Sequence, residues 1–395
     1  MKRRDFIAAA TMLPLLGSGE ALAAPASRKK TEARSAARKP AAPARTTTPA
    51  PAAEANESRV AAAALPEEPP ARWRTYDLST RIELRRGNGD TRLWLPLAIF
   101  KDTPWQRALG HRWQGNFERA GIYRDPAAEM EVFTAEWKEG VEPRLELSSR
   151  VETQDRHFDV TRRHCAPERG EVLRRNLQSS ELMPIGDKTR EIAAGIVGRI
   201  KDPLAQGKVL YDWVADRAIR DPETPALAAG GIDTPPELAN ALGRNAGHAL
   251  LFVALARAVG LPARPVFGLR CDYSKLLPSL GVLGELKRAF HCRAEFYAPG
   301  YDWIPVNPAD LRQAVIAEKL AADDGRLAVL KKLLFGFWEM NWIGLNTALE
   351  VTPQGSRGRA LPFLATPYVE TADGVLDTAD GERFSLSMSA TRNDG

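Results

Sequence analysis

Cysteine is scarce in this chain: Cys165, Cys271 and Cys292 are three among 395 residues. An odd count without C-x-x-C spacing excludes a zinc ribbon or a dense disulfide framework, and leaves room for one bridge at most. The five histidines (His111, His157, His164, His248, His291) form no pair at metal-ligand spacing on one helix, so neither metal nor cofactor is expected. No apolar run approaches the ~20 residues that a membrane-spanning helix needs, so the chain is not expected to be transmembrane. The folded part also lacks an excess of charge. The net charge is +5, but residues 66–395 hold 44 basic and 45 acidic groups, and the surplus lies in the first 65 residues. That distribution argues against a nucleic-acid surface on the folded part.

The first residues account for part of the surplus. Lys2-Arg3-Arg4 precedes an apolar run, Ile7–Leu16, and then Ala21-Leu22-Ala23. A charged start, a short apolar stretch and an A-x-A site make a cleavable leader over 1–23, with the paired arginines of the twin-arginine export route. The mature protein is therefore expected in the periplasm, or secreted. Residues 24–70 are Ala, Pro, Thr, Lys and Arg with few large apolar side chains. Such a segment cannot bury enough surface to offset its ordering entropy and reads as a disordered linker.

Period-two alternation follows, around Ile82 and Leu84, at Leu93-Trp94-Leu95, across Glu131–Trp137 and across Arg144–Val151. This gives a β-rich N-terminal domain over 71–165. Helical spacing begins with Ile192, Ile196 and Ile200. Asp202-Pro203 then caps and opens a helix that turns Val209, Trp213 and Val214 inward. Ala246–Val259 is apolar nearly all round and ends at Gly260-Leu261-Pro262, the pattern of a buried central helix. Strands are expected over Arg264–Arg270, Ala289–Tyr297 and Tyr301–Val306. A buried helix on an antiparallel sheet is an α+β arrangement. The core is placed at 166–315, with 316–395 as an extension packed on it. The aromatic run Phe335–Trp342 reads as core rather than a ligand groove.

The last two strands suggest a constellation. With Ala298-Pro299-Gly300 as a three-residue hairpin loop, Tyr297 faces Tyr301 and His291 faces Asn307. Phe290, Cys292, Ala294 and Phe296 then share an apolar face, while His291, Arg293 and Glu295 share the other. A histidine oriented by an amide or acid is two-thirds of a nucleophilic triad.

Gly243-Arg244-Asn245-Ala246-Gly247, running into Leu251–Arg264, resembles the nucleophile segment of bacterial transglutaminase-like proteins, where a Gly-Lys-Cys-Ala-Asp run opens the helix. His291–Tyr297 is similar to that family's histidine strand, and Trp303–Asp310 to its acid strand, with Asn-Pro in place of Asp-Pro. The resemblance implies a papain-like/transglutaminase-like core. Asn245 would hold the nucleophile position, His291 that of the general base and Asn307 that of the orienting residue. It implies acyl transfer from a carboxamide or peptide bond through a thiolate favoured by the helix N-terminus. Asn307 fits Cys-His-Asn chemistry, but Asn245 offers no usable nucleophile and reads instead as an N-cap.

The leading expectation is therefore a pseudoenzyme that binds a peptide, protein or wall-peptide ligand. Cys271 is the alternative nucleophile, or else a disulfide partner of Cys292. A third reading is an envelope scaffold. Replacing Asn245 by cysteine is expected to create a reactive thiol.

Overall fold

A computed structural model describes residues 73–393 apart from 86–88, 162–164, 233–235, 283 and 287–288, and for 236–245 it describes the backbone alone. The leader, the whole of the linker and His164 lie outside the described residues. Those described belong to one compact unit, Leu65–Gly395.

The first half of the unit is strand-rich, in the order β1 (Arg74–Leu84), β2 (Thr91–Pro96), β3 (Gln106–Gly115), β4 (Arg119–Asp125), β5 (Met130–Trp137), β6 (Arg144–Thr153) and β7 (Arg156–His157). Their alternation is visible in β6, where Leu145, Leu147, Ser149, Val151 and Thr153 are buried and the residues between them mostly exposed. Helices α1 (Gly170–Arg175), α2 (Asp187–Val197), α3 (Pro203–Arg220), α4 (Ala226–Ala229) and α5 (Pro236–Ala258) follow. The cap of α3 is the expected one, with the Asp202 carboxylate accepting from the Ala205 amide at 2.8 Å. Val214 is buried, while Val209 and Trp213 are half-buried against the same core.

Then come β8 (Ala263–Arg270), β9 (Phe290–Ala298), β10 (Asp302–Val306), α6 (Pro308–Glu318), α7 (Gly325–Leu333), β11 (Phe337–Trp338), β12 (Trp342–Asn346), β13 (Tyr368–Thr371), β14 (Gly374–Val375) and β15 (Phe384–Asn393). The late strands do not stay together. Strand β12 joins the central sheet, ordered β10-β9-β8-β12, while β15 and β13-β14 complete the sheets β15-β1-β6-β3 and β14-β13-β2-β5-β4. Residues 316–395 therefore supply strands to both halves of the unit. These last two sheets share an apolar cluster of Ile82, Leu93, Phe133, Trp137, Leu147 and Phe384.

Helix α5 is the centre of the second half. Leu250 through Ala256 are wholly inaccessible and pack with Phe267, Cys292, Ala294 and Phe296 of the sheet. This is the expected α+β core, a buried helix on an antiparallel sheet beside a β-rich region. The helix begins ten residues earlier than its apolar stretch. Pro236 stands in its first turn, where proline's fixed φ and missing N–H cost nothing, and Asn245 therefore lies in the helix interior. The N-cap role drawn from the sequence does not hold. The aromatic run is core as expected, with Trp338 and Trp342 each 1% exposed.

Candidate active site

The hairpin register differs from expectation. Ala298 pairs with Asp302 and Tyr297 with Trp303, so the loop is Pro299-Gly300-Tyr301. Gly300 at φ +84° and Asp302 at φ +67° take up the turn. Each residue of β10 is displaced by two, and an even shift keeps every side chain on its own face. Cys292 is thus in the α5-facing core as expected, and His291, Arg293 and Glu295 share the other face. Strand β10 stops at Val306, so Asn307 is not a cross-strand partner of His291.

Asn307 instead caps α6: its side-chain oxygen accepts from the Asp310 amide at 3.3 Å, and its Nδ2 donates to Asp310 Oδ2. That places Asp310, in the first helical turn, against the histidine. Its Oδ1 lies 3.0 Å from His291 Nε2, off the alignment of a hydrogen bond. The same oxygen accepts from Arg270 at the end of β8. The constellation that forms is therefore His291, Asp310 and Arg270, and Asn307 reaches it through Asp310. The Asn-Pro start of α6, with an acid three residues on, is the signal in the sequence that could have indicated this.

Arg270 also donates to His291 Nδ1, at 3.3 Å. Arginine can only donate, so Nδ1 is the acceptor and the proton of the neutral ring sits on Nε2. The imidazole's single in-plane lone pair is thereby taken. His291 is 1% exposed, and burial, followed by the charge of Arg270, lowers its pKa to about 4 against the opposing pull of Asp310. Burial would raise the Asp310 carboxyl, but Arg270, His291 and Arg293 outweigh it and hold the group well below the usual carboxylate range.

This polar face is covered, not exposed. Arg293 donates to the Glu339 carbonyl and lies 4.6 Å from the Trp342 ring centre. Glu295 takes Arg264 and Arg156, each at 2.5 Å. Buried charges persist where each has an opposite partner.

The remaining sulfur atoms do not fill the nucleophile's place. All three cysteines are free, so the Cys271–Cys292 bridge is absent. Cys271 is 5% exposed among Tyr76, Leu78 and Ile343, and burial, with Asp272 beside it, pushes its thiol well above the ordinary range. A reactive cysteine needs the reverse environment.

Residues 190–308 match the model of the transglutaminase-like superfamily, the stretch that contains positions 245, 291 and 307. Those residues form a transglutaminase-like domain. The match ends two residues before Asp310. An uncharacterized protein of Haemophilus influenzae is 27% identical over 329 residues, 78% of this chain and 88% of that one. Two solved structures are similar at low identity. One, from Cytophaga hutchinsonii, is described as a candidate cysteine protease (15% identical, TM-score 0.49, 82% of this chain and 92% of that chain). The other is the periplasmic domain of TgpA from Pseudomonas aeruginosa (16%, TM-score 0.29, 63% and 91%). In this transglutaminase-like domain a buried cation is set against His291. Among the described residues no helix is long and apolar enough to cross a membrane.

Proposed function

We propose that the chain is an exported, non-catalytic transglutaminase-like module that binds peptide or wall-peptide ligands. The observation that carries this reading is Arg270. A general base in acyl transfer must take a proton from the nucleophile on a free ring nitrogen. Here Nδ1 already accepts from a guanidinium, and Nε2 carries the ring proton. Asn245 compounds the loss, because an amide nitrogen does not attack a carbonyl at neutral pH. Two independent elements, α5 and β8, each lack what the chemistry needs.

The test compares amide hydrolysis and amine incorporation by the native protein and by His291→Ala. No turnover by either is expected, and native activity that His291→Ala abolishes would overturn the reading. The Arg270 contact adds a second requirement for revival. Asn245→Cys alone should give a thiol that iodoacetamide alkylates no faster than free cysteine, whereas Asn245→Cys with Arg270→Gln should react faster. The export part rests on Arg3-Arg4 and Ala21-Leu22-Ala23. Arg3→Lys with Arg4→Lys should remove the protein from the periplasmic fraction, and undiminished accumulation there would count against it.

A further inference from the structure

A cavity of about 300 Å³, at the lower end of the ~300–1,000 Å³ range of ligand sites, opens beside the C-terminal turn of α5. It shares no residue with the His291 constellation. Four charged groups line it: Asp125, Arg175, Arg257 and Glu350. Their bonding is unusual. Among the described residues the buried Arg257 donates only to main chain, to the Ala263 and Gln178 carbonyls, both at 2.7 Å. Arg175 donates to the Ala127 carbonyl, and its one carboxylate contact among the described residues is Glu171 at 3.8 Å on the exposed side of α1.

The acids are held in the same way. Asp125 accepts from the Ala127 and Ala128 amides at 2.9 and 3.3 Å, and Glu350 from the Glu181 amide. Glu350 acts on Arg257 electrostatically, yet the two form no ion pair. Glu350 also sits at φ +57°, a conformation that a long side chain adopts at a cost and that tends to persist at ligand sites. Peptide amides and carbonyls thus fix cations and anions around a space without letting them neutralise one another.

We infer that this cavity binds the two charged ends of a short, unblocked peptide, its carboxylate on Arg257 and Arg175 and its ammonium on Glu350 and Asp125. Each contact would be a charge-assisted hydrogen bond formed in a partly enclosed space. A ligand with one charge alone would engage only one pair of groups and forgo the charge-assisted bonds of the other. The cavity therefore selects for both termini together, whether or not the His291 site turns over substrate.

Titration calorimetry with dialanine, N-acetyl-dialanine and dialanine amide tests this on the chain from residue 24 onward. Saturable binding of dialanine is expected, weakened at least tenfold by either cap. Glu350→Gln should weaken dialanine at least tenfold and bring it level with the acetylated form, and Arg175→Gln should do the same with respect to the amide. Both positions are exposed, so these variants should fold, and circular dichroism checks that they do. Absence of saturable heat with millimolar dialanine, or affinities indifferent to capping or to Glu350→Gln in a folded protein, would overturn the inference. Neither result bears on His291 or Arg270, whose variants leave this cavity intact.

Discussion

Two histidines among the described residues face a buried carboxylate through Nε2, and they differ in what donates to Nδ1. His111 in β3 accepts from the Ser149 hydroxyl at 2.7 Å on Nδ1 and donates from Nε2 to Glu131 at 3.0 Å, while Arg124 holds the other carboxylate oxygen at 2.8 Å. Hydroxyl, imidazole and acid stand in the order of a hydrolase relay. His291, proposed for the general-base position, receives a guanidinium where a nucleophile's proton should come. On the proposed reading neither turns over a substrate, for different reasons. Ser149 is 4% exposed on the inward face of β6, so the relay has no approach for a substrate. At His291 the donor itself is wrong. A triad is therefore not recognised by a histidine–acid contact, but by what donates into the remaining lone pair and whether a carbonyl can reach it.

The largest test of this contrast is removal of each acid. Asp310→Ala leaves Arg270 buried without its carboxylate and should cost about 3–5 kcal/mol, the range for breaking a buried pair. Glu131→Ala should cost less, about 1–3 kcal/mol, because the Arg124 side chain is 62% exposed and returns to water. Urea unfolding of the two variants measures both, and equal losses would remove the distinction.

Acid should weaken the protein next. The unfolded chain protonates a histidine near pH 6.5, but folded His291 does so only at about 4. Its stability is therefore complete above ~6.5 and falls as pH drops from there towards 4, by roughly 3 kcal/mol. His248, lowered to about 4 by burial and by Arg312, acts in the same window and direction. His291→Gln should therefore remove about half of the slope of unfolding free energy against pH between 4 and 6.5. A slope unchanged in that variant would mean that His291 is not held neutral.

The smallest effect belongs to Ser149→Ala. It deletes one neutral hydrogen bond and should cost about 1 kcal/mol, with no change in labelling by a fluorophosphonate probe, since neither form should be labelled.

The parts of this arrangement legible in the sequence are those fixed within a few residues. The Asp202-Pro203 cap, the apolar length of α5 and the alternation in β9 each carry their own local signal, and each corresponds to the observed element. The register of β10 was misjudged because the choice between a loop at 298–300 and one at 299–301 depends on Asp302 adopting a positive φ. Asp310 was in view and missed because Asn307 resembled the family's acid position, while its capping chemistry pointed to the helix that follows. Arg270 could not be assigned at all. Its meeting with His291 depends on β8 and β9 pairing Gly268 with His291, a relation between strands that periodicity does not encode. The same holds for the attachment of β13 and β15 to strands nearly three hundred residues earlier.

That last attachment has a mechanical consequence. Strand β1 begins one residue after Trp73, and its ladder with β15 opens at Thr75↔Asn393 and runs to Leu84↔Phe384. The two ends of the described chain therefore leave the sheet side by side at the same edge of the ladder. A pull that separates them loads the rungs one at a time, as a zipper is loaded, and not all together as in a sheared sheet. Force transmitted through the N-terminal residues against a hold at the other end would peel β15 away from Asn393 inward, while the sheet around α5 stayed folded.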